Sequence, residues 1–361
     1  MSTLKSPLEK EMTRRNFLKL AGKTLALAAA IPAFDQLTAY GQANSETPLA
    51  WNGPYALARH DPSKPNVYFT RNLSAEGVCK IYGKVKGGIT GNVAVKLHTG
   101  EPHGPNLLPI EYIKALQGKI PRSSIVECNV LYNSPRRETQ THLETIKING
   151  FDFCPVDILD AEGDVLLPVP GRKEVSARPK DGQEPLAAGT QLREVALGKN
   201  ILNYDSLVIY THFKGHSMGG FGGSLKNIGI GLASGKTGKR IVHGEGWPRG
   251  KEFLERMVES GQAVTEHFKG RFTCLNVLKN ISVDCDCAGA RGAKPTCGDI
   301  GIVGSTDILA ADQACVDLIY QMPEQHRRDI TERIESRSGL HQLEYMDALN
   351  MGSRQYNLIE I

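Results

Sequence analysis

The segment 206–227 constrains the fold of this chain more than any other stretch. Leu207, Val208, Ile209 and Tyr210 follow one another without a polar break, a run of strand length. The chain then reads Thr211-His212-Phe213-Lys214-Gly215-His216-Ser217-Met218-Gly219-Gly220-Phe221-Gly222-Gly223-Ser224-Leu225-Lys226-Asn227. Gly215, Gly219, Gly220, Gly222 and Gly223 permit unusual backbone angles and close approach. Lys226 and Asn227 open an apolar segment with helical character. A buried strand, a glycine loop and a helix in that order belong to an α/β chain. A helix start beneath a glycine loop also suits an anion or a cofactor group. His212 and His216, four apart, can face one ligand. The plain alternative is a flexible loop with incidental histidines.

The rest of the chain keeps the same alternation. Strands are expected at 93–98, 125–131 and 272–283, and helices at 110–117, 138–148, 251–268 and 308–320. In 138–148 the spacing puts Leu143 and Ile146 on one face. The fold class that follows is α/β, a mainly parallel sheet flanked by helices, with the site at the strand C-terminal ends. Residues 161–190, rich in Pro, Gly and charge, read as a surface excursion or a hairpin.

The N-terminus reads as an address. Thr13-Arg14-Arg15-Asn16-Phe17-Leu18-Lys19 is a twin-arginine export motif, followed by a weakly apolar run and small residues at cleavage-like spacing near 39–43. The expected organisation is a signal peptide over 1–43, a polar linker or arm over 44–66, and a single α/β domain over 67–361. The expected location is the periplasm or another exported compartment, with the twin-arginine machinery as a partner. That route carries folded proteins, often with a cofactor already inserted. No stretch reaches the roughly 18 apolar residues of a membrane-spanning helix. Against 43 basic residues stand 39 acidic ones, a net charge of +4 without a basic cluster, so nucleic acid is not the expected partner.

Polar residues gather where strands end. Lys96-Leu97-His98-Thr99-Gly100-Glu101 places a cation, an imidazole and a carboxylate after the first of these strands, with Lys96 and His98 on one face. Asp284-Cys285-Asp286-Cys287 puts two thiols on one side of an extended segment, their Cα atoms about 6.6 Å apart. That spacing suits two ligands of one metal or cluster better than a mutual disulfide. Cys297 is a third candidate ligand. Structural disulfides with the remaining cysteines are the competing reading. Asp307 is placed to cap the next helix and Asp312, among alanines, to support the site. Arg136, Arg137, His142 and Glu144 can reach a cleft from another strand end. His60, His243, His267, His326 and His341 read as lying outside the site. Gly231 to Thr237 imitates a phosphate loop, but the required first glycine falls on Ile230. No H-E-x-x-H motif occurs.

At these clusters the chain resembles the domain-of-unknown-function 362 family, often labelled iron–sulfur centre proteins. The resemblance runs from Val93 to Ile361. It is carried by Lys96-Leu97-His98-Thr99-Gly100-Glu101, Asn129-Val130-Leu131-Tyr132, His142-Leu143-Glu144, His212-Phe213-Lys214-Gly215-His216, residues 220–227, Asp284-Cys285-Asp286-Cys287, residues 299–302 and Asp312-Gln313-Ala314. Many relatives carry a cysteine-rich ferredoxin-like insertion that residues 238–252 lack, so the iron–sulfur label does not transfer on its own.

The expectation is an exported enzyme or redox protein that depends on a metal ion or iron–sulfur cluster and acts on an anionic small molecule, with a redox partner if electrons are transferred. His212, His216, Cys285, Cys287 and Cys297 are its candidate metal ligands. Lys96, His98, Glu101, Lys214 and Lys226 are its candidate catalytic residues, and Gly219, Gly220, Gly222, Gly223 and Asn227 its candidate cofactor cradle. A metal-free anion-binding protein and a non-redox metal hydrolase or isomerase are the alternatives.

Overall fold

The computed structural model describes residues 61–171 and 191–361. The expected signal peptide and most of the expected arm, up to residue 60, lie outside them. In chain order the elements are β1 (Asn66–Thr70), α1 (Ala75–Val85), β2 (Val93–Lys96), α2 (Ile110–Gln117), β3 (Ser123–Glu127), α3 (Thr139–Ile148), β4 (Val156–Ile158), β5 (Asp164–Pro168), β6 (Glu194–Gly198) and β7 (Ser206–His212). Then come β8 (Lys214–His216), β9 (Gly220–Gly222), α4 (Ser224–Gly229), α5 (Gly238–His243), α6 (Lys251–His267), β10 (Phe272–Leu278), β11 (Gly301–Ser305), α7 (Ile308–Tyr320), α8 (Glu324–Ser336), α9 (His341–Ala348) and β12 (Asn357–Glu360).

Eight strands form one sheet in the order β12-β1-β11-β10-β7-β2-β3-β4, in which β11 alone runs against the others. Strands covered on both faces lose the polar alternation of a half-exposed strand. All of β2 and β7 is buried accordingly. Val95, Val208, Leu275 and Ile302 pack with Ile81 of α1 and Ile113 of α2 on one face. On the other face α4 and α7 cover the sheet and α6 packs on α4, with Leu225, Met257 and Leu309 fully buried. Asp307 caps α7 through Oδ1, which accepts from the Ala310 N–H at 2.8 Å.

β3 and β4 lie on one side of β2, whereas β7 and β10 lie on the other. The strand order therefore reverses between β2 and β7, where an open α/β sheet leaves a crevice at its carboxyl ends.

The expected elements form with shifted ends. The strand expected at 125–131 starts at Ser123 and stops at Glu127, and the one expected at 272–283 stops at Leu278. Of the pair placed on one face of α3, Ile146 is buried but Leu143 is exposed. The stretch 161–190 is in part the first strand of a hairpin, β5 against β6; residues 172–190 lie outside the described ones.

Candidate active site and metal centre

Lys96 and Glu127 are the last residues of β2 and β3, neighbouring strands beside the crevice. The Lys96 ammonium donates to the Leu97 carbonyl at 2.6 Å, Asn227 Oδ1 at 3.0 Å and Glu127 Oε2 at 3.1 Å. An ammonium has three hydrogens, so none is left over. Burial pushes Lys96 down to about 8 against the pull of Glu127. Glu127 accepts the Thr99 N–H and hydroxyl, each at 2.8 Å, and Arg136 Nη2 at 3.2 Å. Burial alone would raise this carboxyl, but Lys96 and Arg136 together hold it well below the usual range. Arg136 also donates to Glu101 at 3.4 Å and to His142 Nε2 at 3.2 Å. Glu101 accepts Tyr132 and Ser134 hydroxyls. Two cations and two carboxylates thus neutralise one another beneath the crevice.

The thiols form a second cluster. Donor atoms of His216, Cys285 and Cys287 all lie within 4.8 Å of one another. The Cys287 thiol donates to Cys285, which, with Lys226, Lys214 and His98, outweighs burial and holds Cys285 well below the usual thiol range. Cys287 is raised by the same hydrogen bond and by its burial. Lys226 Nζ stands 3.9 Å from Cys285 Sγ. His98 Nδ1 accepts the Gly100 N–H at 2.9 Å, and its ring is hydrogen-bonded to Cys285. His216 Nδ1 accepts N–H groups of Gly219 at 2.9 Å and Met218 at 3.3 Å. In both neutral rings Nε2 therefore carries the proton.

His212 stands apart from that cluster. Its Nδ1 is 3.1 Å from both Asp286 oxygens and its Nε2 is 2.8 Å from the Lys279 carbonyl, so no ring nitrogen remains for a metal. Strand alternation is the reason: Thr211 meets Asn227 on the α4 side, and His212 must point the other way. Lys214 joins the same carboxylate, 2.7 Å from Asp286 Oδ2. Cys297 packs at 3.5 Å from the Met322 sulfur, and burial pushes it up to about 12. All eight cysteines are free, so the disulfide alternative is not built.

The glycine loop turns out to be a packing device. It is the β8–β9 hairpin, and the helix start beyond it is already filled: Asp312 oxygens accept the Ser224 and Leu225 N–H groups at 2.8 and 2.9 Å. Gly223 sits against that carboxylate, where a Cβ would lie 2.5 Å from Asp312 Oδ1. Gly220 has φ 78° and would place a Cβ 2.7 Å from the Gly339 Cα. Gly219 and Gly222 would crowd His216 and Lys226. These glycines cradle the protein itself. Asn227 bridges strands, donating to the Lys96 and Tyr210 carbonyls.

A cavity of about 340 Å³ opens between the two clusters. Lys96, His98, Arg136, His216, Lys226 and Cys287 line it, together with apolar walls from Val130, Leu131, Met218 and Ile230.

The model of the family described as "Domain of unknown function (DUF362)" matches residues 93–317, more than half of the chain. The chain belongs to the DUF362 family. No curated protein matches it. Among solved structures, the lactate racemase apoprotein from Thermoanaerobacterium thermosaccharolyticum is similar at 12% identity and a TM-score of 0.39, over 73% of this chain and 59% of that one. This chain thus spans less than two thirds of that protein's length.

In this DUF362 member the structure gathers His98, His216, Lys226 and Cys287, all expected at the site, along one cavity, with Cys285, also expected, beside His216 and Cys287. Glu101 and Lys96 serve the buried ion network, and Lys214 and His212 hold Asp286. Glu127 and Lys239 escaped the reading of the sequence, and His243, read there as outside the site, lines the cavity. Glu127 had a signal, a lone acid ending the apolar strand Ile125-Val126. Lys239 and His243 had none, since both lie in a polar stretch far along the chain from every cluster.

Proposed function

We propose that this DUF362 member is an exported, metal-dependent enzyme acting on a small organic anion, with His216, Cys285 and Cys287 as the protein ligands. The observation that carries the reading is the meeting of one imidazole and two thiols within 4.8 Å at a cavity that also holds lysines. Soft sulfur with nitrogen suits zinc, iron, nickel or an iron–sulfur cluster, and not magnesium or calcium. Such a group would supply Lewis-acid or redox chemistry at the cavity mouth. Around it, Lys226 attracts the anion and the His98 Nε2–H steadies thiolate charge. The Lys96–Glu127–Arg136 network keeps the floor rigid and neutral, and the apolar walls exclude water.

Elemental analysis with a visible spectrum tests this, on protein matured through its own export route and purified without oxygen or chelator. About one metal or cluster per chain is expected, lost in Cys285→Ser/Cys287→Ser and retained in His212→Ala. Metal-free protein, or metal that survives the double serine variant, would overturn the reading. One observation favours the second reading, a metal-free thiolate site. His216 Nδ1 accepts two backbone N–H groups, which leaves the proton on the nitrogen that a metal would need. Metal-free protein with an alkylation-sensitive Cys285 is the result that supports it.

A further inference from the structure

We propose that Lys239, His243 and Trp247 form a recognition subsite for the carboxylate of a small organic acid, whose apolar body fills the cavity. The proposal rests on the reading of this cavity as a site for a small anion, and not on the metal.

Lys239 and His243 stand four apart on α5, hence on one helix face, and both line the cavity. Lys239 is only 5% exposed, and among the described residues its ammonium donates to one acceptor, the Ala233 carbonyl at 2.5 Å. Two hydrogens remain without an acceptor among the described residues, and no described carboxylate bridges to it, Asp160 and Glu127 acting on its charge only from beyond ion-pair distance. Burial pushes this lysine below its usual range. His243 is 7% exposed, and its Nδ1 is buried with no partner among the described residues. A polar atom left bare in the interior is costly, so a bare imidazole nitrogen one helical turn from a lysine with hydrogens to spare points to a ligand.

Trp247 covers the same end. Its ring lies 4.3 Å from that of His243, which stacks in turn on Phe253 at 5.2 Å. Trp247 is 41% exposed and holds φ at 55°, a conformation that a bulky residue rarely adopts without reason. An aromatic ring against the imidazole, with a lysine lining the same cavity, fits a flat, singly charged head group.

The class follows from what else is near. A phosphate needs many donors, yet the α4 helix start is filled by Asp312 and Arg136 is committed to Glu101 and Glu127. About 340 Å³ lies at the small end of ligand pockets, roughly 300–1,000 Å³, which suits a small molecule and not a peptide. Val130, Leu131 and Ile230 offer the body an apolar wall.

The chain has two tryptophans, Trp51 and Trp247, so Trp51→Phe leaves Trp247 as the sole reporter. Acetate, hexanoate and phenylacetate, their neutral amides and inorganic phosphate are titrated against that protein, as isolated and after metal removal. Saturable fluorescence changes are expected for hexanoate and phenylacetate, about tenfold or more tighter than for acetate or the amides. Lys239→Met should erase the preference for acid over amide, and Lys239→Arg should keep most of it. Should Lys239→Met fail to unfold cooperatively, His243→Phe read by calorimetry takes its place, with the same loss expected. The proposal is overturned if no acid binds, if acid and amide bind alike, if phosphate binds best, or if the variant keeps its selectivity. Metal-stripped protein that still binds phenylacetate, beside a negative elemental analysis, would remove the metal reading and leave this one standing.

Discussion

At the scale of single residues, the strongest constraint is the buried charge around Glu127. Arg136 bridges Glu127 and Glu101 with 3% exposure, so Arg136→Leu takes the ion-pair partner from Glu101 and leaves Glu127 with Lys96 alone. Urea unfolding should show a loss of about 3–5 kcal/mol, the usual result of stranding a buried charge. Asp312 gives a pH signature. Burial raises its carboxyl to about 6 from 3.8, even though it accepts the Ser224 and Leu225 N–H groups. Between those values the folded chain binds more protons than the unfolded one. This group's contribution to stability is therefore present below about pH 4 and lost as the pH rises through about 6. Asp312→Asn should remove that downward slope, seen as the difference from wild type in denaturation midpoints at pH 4.5 and 6.5. Of these residues, Asp312 was legible in the sequence as an acid among alanines, whereas the partners of Arg136 were not. Its contacts with Glu101 and Glu127 join residues 35 and 9 positions away across a loop of no regular period.

At the scale of elements, the hairpin β8–β9 and helix α4 decide where the lysines point. Gly220 works under two constraints, a positive φ and a backbone neighbour, whereas Gly163 has φ 101° with open space around it. Gly163→Ala should cost about 1 kcal/mol for its backbone angle alone. Gly220→Ala should cost at least about 2 kcal/mol more, because the Gly339 backbone cannot move aside as a side chain can. Equal thermal unfolding shifts in the two variants would count against the packing role of this hairpin. Apolar runs and a cap made β7, α6 and α7 legible from local pattern. β1 and the edge strand β12 lacked that pattern, since they are short and pair with each other across most of the chain.

At the scale of the whole molecule, a metal held by His216, Cys285 and Cys287 would bind the folded chain and not the unfolded one. Saturating metal at 100 times its dissociation constant should then add about 2.7 kcal/mol to stability. A chelator should lower the unfolding temperature of wild type and leave Cys285→Ser unmoved. The address is tested separately: Arg14→Lys with Arg15→Lys should hold the protein inside the cell, as read by fractionation.

Local chemistry along the chain was enough to specify an α/β architecture, its main helices, the strand ends where polar groups collect and the Cys-x-Cys pair. Hydrophobic period and backbone propensity act over a few residues, so one sequence carries them. Which polar residues share a cavity was settled by the sheet order and by strand alternation. The reversal between β2 and β7 brings Lys96 to Asn227, and alternation turns His212 away from the thiols while β8 brings His216 toward them. The glycine loop spent its conformational freedom on close packing, and Asp312 took the helix start that an anion would have used. Lys239 and His243 became candidates only when α5 was folded over the cavity, because spare hydrogens and a bare nitrogen are properties of surroundings and not of residue type.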